Sequence, residues 1–211
     1  MIKTVAAYRS KFILWVLIIS CYSCTSNPKQ IGIQPYGEPD KAIINSVTKI
    51  LKETYNANVI VLDKKALPKQ AFVNIKSPRY RADSLLKDLL RHRPDSIDFI
   101  LGITSKDIST TKRDVNGNIK QPEAKYGDWG IFGLGYKPGK SCVISNFRLK
   151  NTTPKTYINR IQKIAVHEIG HNLELPHCDT DKCVMQDAVE TIKTVDLAGF
   201  ELCKSCLHKI N

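Results

Sequence analysis

The stretch that most constrains this chain lies between residues 167 and 206. It contains three of the five histidines and four of the seven cysteines in the sequence. Histidine and cysteine are the usual protein ligands of zinc, and such a dense grouping in one segment is typical of a metal site. We therefore predict two metal centres, one formed by histidines and one by cysteines.

The first predicted centre begins with the segment His167-Glu168-Ile169-Gly170-His171. On a helix, residues four apart project from one face, so both imidazoles can bind the same ion. Glu168 lies about 100° round the helix, where it is a poor ligand but well placed to take a proton from a metal-bound water. Zinc lowers the pKa of that water from about 15.7 to about 7, so a single carboxylate suffices as the base.

The third ligand of this centre is predicted to be His177, six residues beyond His171. That separation does not fit the same face of a continuing helix, so the helix must end and the chain must turn back. Pro176 favours this because it cannot continue a helix and pushes Leu175 towards extended geometry. The alternative is a pair of solvated helix histidines and one loop histidine, since the short H-E-x-x-H pattern also occurs by chance.

The second predicted centre combines Cys178 and Cys183 with the pair Cys203 and Cys206. A C-x-x-C pair is a common zinc clamp, and the other two cysteines supply a second knuckle, so we predict a tetrahedron of four thiolates. Two disulfides are the alternative, because exported thiols tend to oxidise. A redox role for the C-x-x-C pair is disfavoured because no thioredoxin-like β-α-β context precedes it.

These positions together resemble the archaemetzincin family of zinc metallopeptidases, whose signature is H-E-x-x-H-x-x-G-x-x-H-C-x4-C-x-M-x17-C-x-x-C. The sequence reproduces every spacing of that pattern, with Met185 at the methionine position. The resemblance implies a catalytic zinc on His167, His171 and His177, with Glu168 as general base and acid. It further implies a methionine turn at Met185 and a second, structural zinc held by the residues Cys178, Cys183, Cys203 and Cys206.

The same resemblance implies a fold, a cofactor and a substrate class. The expected fold is α/β, with a metzincin-like twisted mixed β-sheet, an antiparallel edge strand, a backing helix and a zinc-binding active-site helix. A four-cysteine zinc subdomain completes it. The expected cofactor is two Zn2+ ions per chain, the expected substrate is a peptide or protein, and we expect a monomer.

One position departs from the family signature, because Glu174 stands where the family has glycine. Glycine suits that place since the chain needs a positive φ there, and another residue costs on the order of 1 to 3 kcal/mol. Strain at this turn or a carboxylate near the metal would impair the site. A non-catalytic zinc-binding lipoprotein with a decayed active site is therefore the alternative function.

The amino terminus predicts export and lipid anchoring. Three basic residues precede the apolar run 12–19, which is too short to span a membrane and suits a signal peptide. The run leads into Cys21, in a context that resembles a lipoprotein box, so residues 1–20 are a predicted signal peptide and Cys21 the lipidated residue. The alternatives are an ordinary signal peptide, an uncleaved anchor, or lipidation at Cys24. The chain is expected on the outer side of a bacterial membrane, periplasmic or cell-surface.

The rest of the chain predicts one domain behind a tether. Residues 21–39 are polar with several prolines and glycines and predict a flexible tether, followed by a metallopeptidase domain over 40–211. The net charge is +12, but the lysines are scattered, which predicts a solvated basic surface. No nucleic-acid-binding motif is present, so no nucleic-acid partner is expected.

Hydrophobic periodicity places helices and strands before the zinc motif. Helices are predicted over 41–55 and 79–91, and strands over 58–62, 71–75 and 97–103, in β-α-β order. Residues 109–130 are polar and loop-like, and the apolar runs 130–136 and 141–147 predict a hairpin around Pro138-Gly139. One hairpin strand is a candidate for pairing with substrate; alternatively both strands only cover the core.

Thr153 and Pro154 predict the start of the catalytic helix. Cys142 reads as a buried free thiol. A last helix is predicted between 185 and 203, with Ile192, Val195 and Leu197 available for the core.

Overall fold

The computed structural model describes residues 27–150, 152–187 and 191–210. The predicted signal peptide and Cys21 lie outside these residues. No helix in the described ranges is long and apolar enough to span a membrane. Within the same ranges the chain forms nine strands and six helices, in the order β1 Gln30–Tyr36, α1 Lys41–Tyr55, β2 Asn58–Val61, β3 Phe72–Asn74, β4 Pro78–Arg81, α2 Ala82–Arg91, β5 Phe99–Thr104, β6 Ile108–Thr110, α3 Glu123–Tyr126, β7 Trp129–Ile131, β8 Gly133–Gly135, β9 Ser141–Ser145, α4 Pro154–Asn172, α5 Ile192–Leu197 and α6 Lys204–Ile210.

A five-stranded mixed sheet with the order β2-β1-β5-β9-β8 forms the centre of the molecule. The first four strands run parallel, and β8 returns antiparallel to β9 at the edge. Strand β5 is apolar on both faces because its residues alternate between two hydrophobic cores. Leu101 belongs to the core that contains α1 and α4, and Ile100 belongs to the core that contains α2. The expected mixed sheet with an antiparallel edge strand is confirmed.

The predicted tether over 21–39 is wrong for residues 30–36, which form β1 and pair with β2 and β5. The polar composition of this stretch hid a buried strand. Ile31 and Ile33 are fully buried, and Gly32 allows Ile97 to pack closely, because a Cβ at residue 32 would lie 3.1 Å from the Ile97 side chain. The buried amide of Gln34 donates to the carbonyl of Asp63 at 2.7 Å, so its burial leaves no unpaired donor.

Helices α1 and α4 pack together on one face of this sheet, and α2 packs on the other. Asp40 caps α1 by accepting from the backbone N–H of Ala42 at 2.8 Å, and Asn56 ends it in the left-handed conformation, so the helix spans the predicted range 41–55. The backing helix and the active-site helix therefore share one hydrophobic core, which includes the buried free thiol of Cys142.

A second sheet with the order β3-β4-β6-β7 lies beside the first. The prediction of a helix over 79–91 is wrong at its start, because Pro78–Arg81 is strand β4. Arg79 and Arg81 project from the strand to Asp128, at 3.0 and 3.6 Å, and these ion pairs favour the extended form. The region 109–130, predicted to be loop-like, likewise contributes the short elements β6, α3 and the start of β7.

The carboxyl-terminal part is more helical than the sequence predicts. Helix α5 is present and buries Val195, but Leu197 is 76% exposed rather than in the core, because this short helix has only one buried side. Helix α6 was not predicted, and it carries Cys206 into the core.

Candidate active site

Helix α4 directs the first two histidines of the motif. Its N-terminus is capped by Thr153, whose side chain accepts from the N–H of Thr156 at 3.2 Å, and Pro154 occupies the first turn. Ile161, Ala165 and Ile169 are buried against the core, which fixes the rotation of the helix.

Three histidines converge at the end of α4. One ring nitrogen from each histidine lies within 4.8 Å of those from the other two, and the ring centroids of His167, His171 and His177 are 4.6 to 5.4 Å apart. The structure thus brings together the three predicted ligands. Nitrogen atoms at such separations can share one zinc ion.

Backbone carbonyls hold two of these rings in a fixed tautomer. The Nδ1 atom of His167 lies 2.9 Å from the carbonyl oxygen of Val184, and that of His171 lies 2.8 Å from the carbonyl oxygen of Leu175. Each Nδ1 therefore donates, which leaves Nε2 with its lone pair for a metal. Burial lowers the pKa of His167 to about 4, so this imidazole is neutral, as a metal ligand must be.

The turn that returns His177 to the site is a Schellman motif. The N–H of Leu175 donates to Gly170 and that of Glu174 to His171, both at 3.0 Å. Glu174 has φ +69°, the positive value predicted from the family glycine. Its side chain is exposed, and Glu174 lines a separate depression rather than the cleft that the three histidines line.

Glu168 is 7% exposed and lies beneath the edge strand β8. An ideal Cβ at Gly133 would be 2.5 Å from its Oε1, and one at Gly135 would be 2.8 Å from its backbone oxygen. The two glycines thus allow the strand to lie directly on the carboxyl group. Burial raises the pKa of Glu168 to about 8, within the range of a group that gains and loses protons near neutral pH.

Met185 is fully buried under α4, where any side chain at Gly170 would collide with its sulfur. Its carbonyl accepts from the N–H of Cys178 at 2.9 Å. The neighbouring Tyr55 hydroxyl donates to the carbonyl of Val166 at 2.6 Å and ties α1 to the same region. The methionine segment therefore forms the floor of the site and joins it to the cysteine cluster.

The four cysteines predicted as one group are clustered, with sulfurs within 4.8 Å of one another. Cys178 and Cys203 are 3.7 Å apart, and Cys183 and Cys206 are 3.8 Å apart, so all four are free thiols rather than disulfides. A tetrahedron of thiolates at about 2.3 Å from zinc has edges of about 3.8 Å. The cluster therefore has the dimensions of a four-sulfur zinc site.

The local electrostatics of this cluster favour one thiolate before any metal arrives. The backbone N–H of Cys206, near the start of α6, lowers the pKa of Cys203 to about 6. Burial raises the pKa of Cys206 and of Cys183, whose sulfur also accepts from the N–H of Cys203 at 3.4 Å. A cation is required to hold all four sulfurs as thiolates.

The three histidines and Glu168 line a cleft with a volume of about 820 Å3. One wall is the continuous stretch 129–135, which contains β7 and β8, and α5 forms part of the opposite side. Gly133 and Gly135 were not predicted to be site residues. Alternating glycines in a short strand signal close approach of a backbone, and that signal was available.

The match to a family model decides the classification: residues 30–211 match Peptidase family M54. The chain belongs to this family. The archaemetzincin of Haloquadratum walsbyi is 31% identical over 83% of this chain and 96% of its own length. That of Methanocaldococcus jannaschii is 32% identical over 86% of this chain and 92% of its own.

A solved structure agrees with this membership. The crystal structure of archaemetzincin from Archaeoglobus fulgidus, complexed with malonate, superposes with a TM-score of 0.68 at 28% identity and covers 86% of this chain and 99% of that one. The expected family and fold are confirmed, and this M54 member is a zinc metallopeptidase by class.

The positive φ at position 174 generates a stability prediction. Glu174→Gly should raise the free energy of unfolding by about 1 kcal/mol and the Tm by about 2 to 4 °C, because glycine adopts the left-handed conformation without steric cost. Calorimetry of the zinc-loaded protein measures this. Glu174→Gln keeps the backbone strain and removes only the charge, so it should leave the Tm unchanged; equal shifts in both variants would contradict the strain argument.

Proposed function

We propose that the chain hydrolyses peptide bonds with a catalytic zinc on His167, His171 and His177 and with Glu168 as general base and acid. The observation that carries this proposal is the buried carboxyl group of Glu168, next to three converging histidines and under an edge strand. Zinc bound there supplies Lewis acidity, which polarises a carbonyl group and acidifies water. The neutral, oriented imidazoles fit such an ion.

Glu168 performs the proton transfers of the proposed reaction. Its carboxylate takes a proton from the attacking water as the water oxygen bonds to the scissile carbonyl carbon. The same carboxyl group then donates that proton to the amide nitrogen as the C–N bond breaks. Its burial favours this exchange, because a pKa raised towards neutrality balances proton uptake and release.

Strand β8 is proposed to align the substrate. It ends the five-stranded sheet, so its outer edge is the one that faces the cleft beside Glu168. An extended peptide can add to such an edge through main-chain hydrogen bonds, which would hold the scissile bond straight over the histidines. Glycines at 133 and 135 keep the edge clear of side chains on the side of Glu168.

The cysteine cluster is proposed to hold a second, structural zinc. Its four sulfurs approach one another at tetrahedral spacing. Cys178 follows His177 directly, and Cys183 lies two residues before Met185. A zinc there would fasten α6 to the segment that carries the third histidine and the methionine floor.

The alternative of a decayed active site rests on Glu174. Its side chain is exposed and does not line the cleft, and its turn keeps the hydrogen bonds of a glycine-terminated helix. The catalytic reading is therefore favoured over a non-catalytic binding module.

Replacement of the proposed base should separate chemistry from metal binding. We expect Glu168→Gln to lower kcat by about 10²- to 10⁴-fold while zinc content stays the same, because the ligands are untouched. Peptide hydrolysis and metal analysis on one preparation measure both. Glu174→Gln makes the same chemical change six residues away and should keep full activity. Undiminished turnover in Glu168→Gln would refute the assignment of the base.

Loss of one cysteine should destabilise the whole carboxyl-terminal part. Cys203→Ser should remove one zinc per chain and lower the Tm, since the binding energy of a structural zinc contributes to folding. Cys142→Ala is the matched control, because Cys142 is also buried but lies outside the cluster. It should keep the zinc content unchanged. Unchanged zinc in Cys203→Ser would argue against a four-cysteine site.

We also propose that the protein is exported and anchored by lipid on Cys21, as its amino-terminal segment predicts. Cys21→Ser should then abolish incorporation of labelled palmitate and release the protein from the membrane fraction. Cys24→Ser, three residues away, should leave both unchanged. Labelling that is lost in Cys24→Ser but kept in Cys21→Ser would place the lipid on Cys24. Absence of labelling in the wild type would contradict the lipid anchor.

A further inference from the structure

Three lysines from separate parts of the chain meet around Trp129 at one end of the cleft. Lys76 lies between β3 and β4, Lys112 follows β6, and Lys125 is on α3. The Nζ atoms of Lys112 and Lys125 are 4.6 and 5.5 Å from the Trp129 ring centroid. The Nζ of Lys76 donates to the carbonyl of Lys125 at 2.7 Å. Their positions at 76, 112 and 125 made them look scattered in the sequence.

The other basic side chains that line the cleft are already engaged within the fold. Arg79 and Arg148 both pair with the buried Asp107, at 2.9 and 2.6 Å. Lys163 donates to the backbone carbonyls of Val195 and Asp196, at 3.0 Å each. Arg79 and Arg148 are paired with a carboxylate and Lys163 is only 9% exposed, so these groups present less charge to a ligand than the exposed side chains of Lys76 and Lys125 do.

Negative charge along the cleft is sparse. Among the described residues that line it, the carboxyl groups are those of Glu168 and Asp128. Asp128 is 2% exposed and lies between Arg79 and Arg81, so it does not neutralise Lys76 or Lys125. The Trp129 end of the cleft is therefore electropositive, and its low-dielectric walls strengthen the field there.

We propose that Lys76 and Lys125, the exposed lysines of this cluster beside Trp129, form a specificity subsite for acidic side chains of the peptide substrate. The inference rests on the proposed function, because it uses β8 as the edge that aligns the substrate. Trp129 precedes Gly133 by four residues. Trp129 lies on β7, which pairs into the second sheet, but residues 129–135 form one continuous wall of the cleft. At about 3.3 Å per residue, an extended peptide along this wall would place a side chain at Trp129 roughly four residues from the scissile bond.

The aromatic ring contributes to this subsite as well as the charges. The Nζ atom of Lys125 lies 4.9 Å from the ring centroid of Tyr126. The ring centroids of Tyr126 and Trp129 are 5.4 Å apart, so Lys125 lies near both rings. Cation–π contacts restrict where the ammonium groups point, so less freedom is lost when they meet a carboxylate. Exposed ion pairs are individually weak and are screened by salt. The subsite should therefore select among peptides rather than supply most of the affinity.

Binding to a catalytically impaired protein tests the subsite directly. The probes are two fluorescein-labelled peptides with an apolar centre. One carries two glutamates four residues to the amino-terminal side of the centre, and the other carries them four residues to the carboxyl-terminal side. Each peptide has a control peptide in which glutamine replaces both glutamates, called its twin. Zinc-loaded Glu168→Gln protein should bind one glutamate peptide about three- to tenfold more tightly than its twin at low salt. High salt should reduce that preference.

A matched pair of charge variants shows whether the lysines cause the preference. K76Q/K125Q in the same background should abolish it, whereas K49Q/K52Q removes equal charge from exposed positions on α1, outside the cleft, and should retain it. Equal binding of each glutamate peptide and its twin, or a preference that survives K76Q/K125Q, overturns the subsite.

Hydrolysis of the same peptides by the wild type separates this inference from the proposed function. Cleavage without any acidic preference contradicts the subsite alone. A lysine-dependent preference in binding without cleavage supports the subsite and contradicts the proposed peptidase activity on these peptides.

Discussion

The turn at the end of α4 is the constraint on which the rest of the site depends. Its two backbone hydrogen bonds reverse the chain, and the carbonyl of Leu175 that emerges from it orients the ring of His171. Without this reversal His177 could not join the other two histidines. Because Cys178 is the next residue, the same turn also sets the position of the cysteine cluster.

The two clusters are mechanically linked through the backbone around Met185. The carbonyl of Val184 holds the ring of His167, and that of Met185 accepts from Cys178. A cation on the cysteines would therefore stiffen the segment that orients the histidines. This arrangement explains why a small peptidase domain devotes four cysteines to a place that takes no part in the chemistry proposed for it.

Much of the site could be predicted from sequence because its chemistry depends on local spacing. The three histidines, Glu168 and the four cysteines come together as their intervals indicate. Strand β1 was missed because the segment around it is polar and the strand itself contains Gly32 and Pro35, although Ile31 and Ile33 alternate as a buried strand requires. The lysine cluster could not be predicted, because residues 76 and 125 meet only through the pairing of the second sheet.

The backbone and the side chain of Glu174 together accommodate this residue in place of glycine. The backbone takes the left-handed conformation that glycine would adopt, and the side chain is directed to solvent. A strain of on the order of 1 kcal/mol is small beside the stability of a domain of this size. The turn therefore survives the substitution, and the third histidine stays in place.

X-ray absorption at the zinc edge, combined with zinc content per chain, tests the central claim of two different metal centres most directly. The account predicts two zinc ions per chain, with sulfur neighbours at about 2.3 Å for one and only nitrogen or oxygen neighbours at about 2.0 to 2.1 Å for the other. A single zinc per chain with only one of these environments would contradict it.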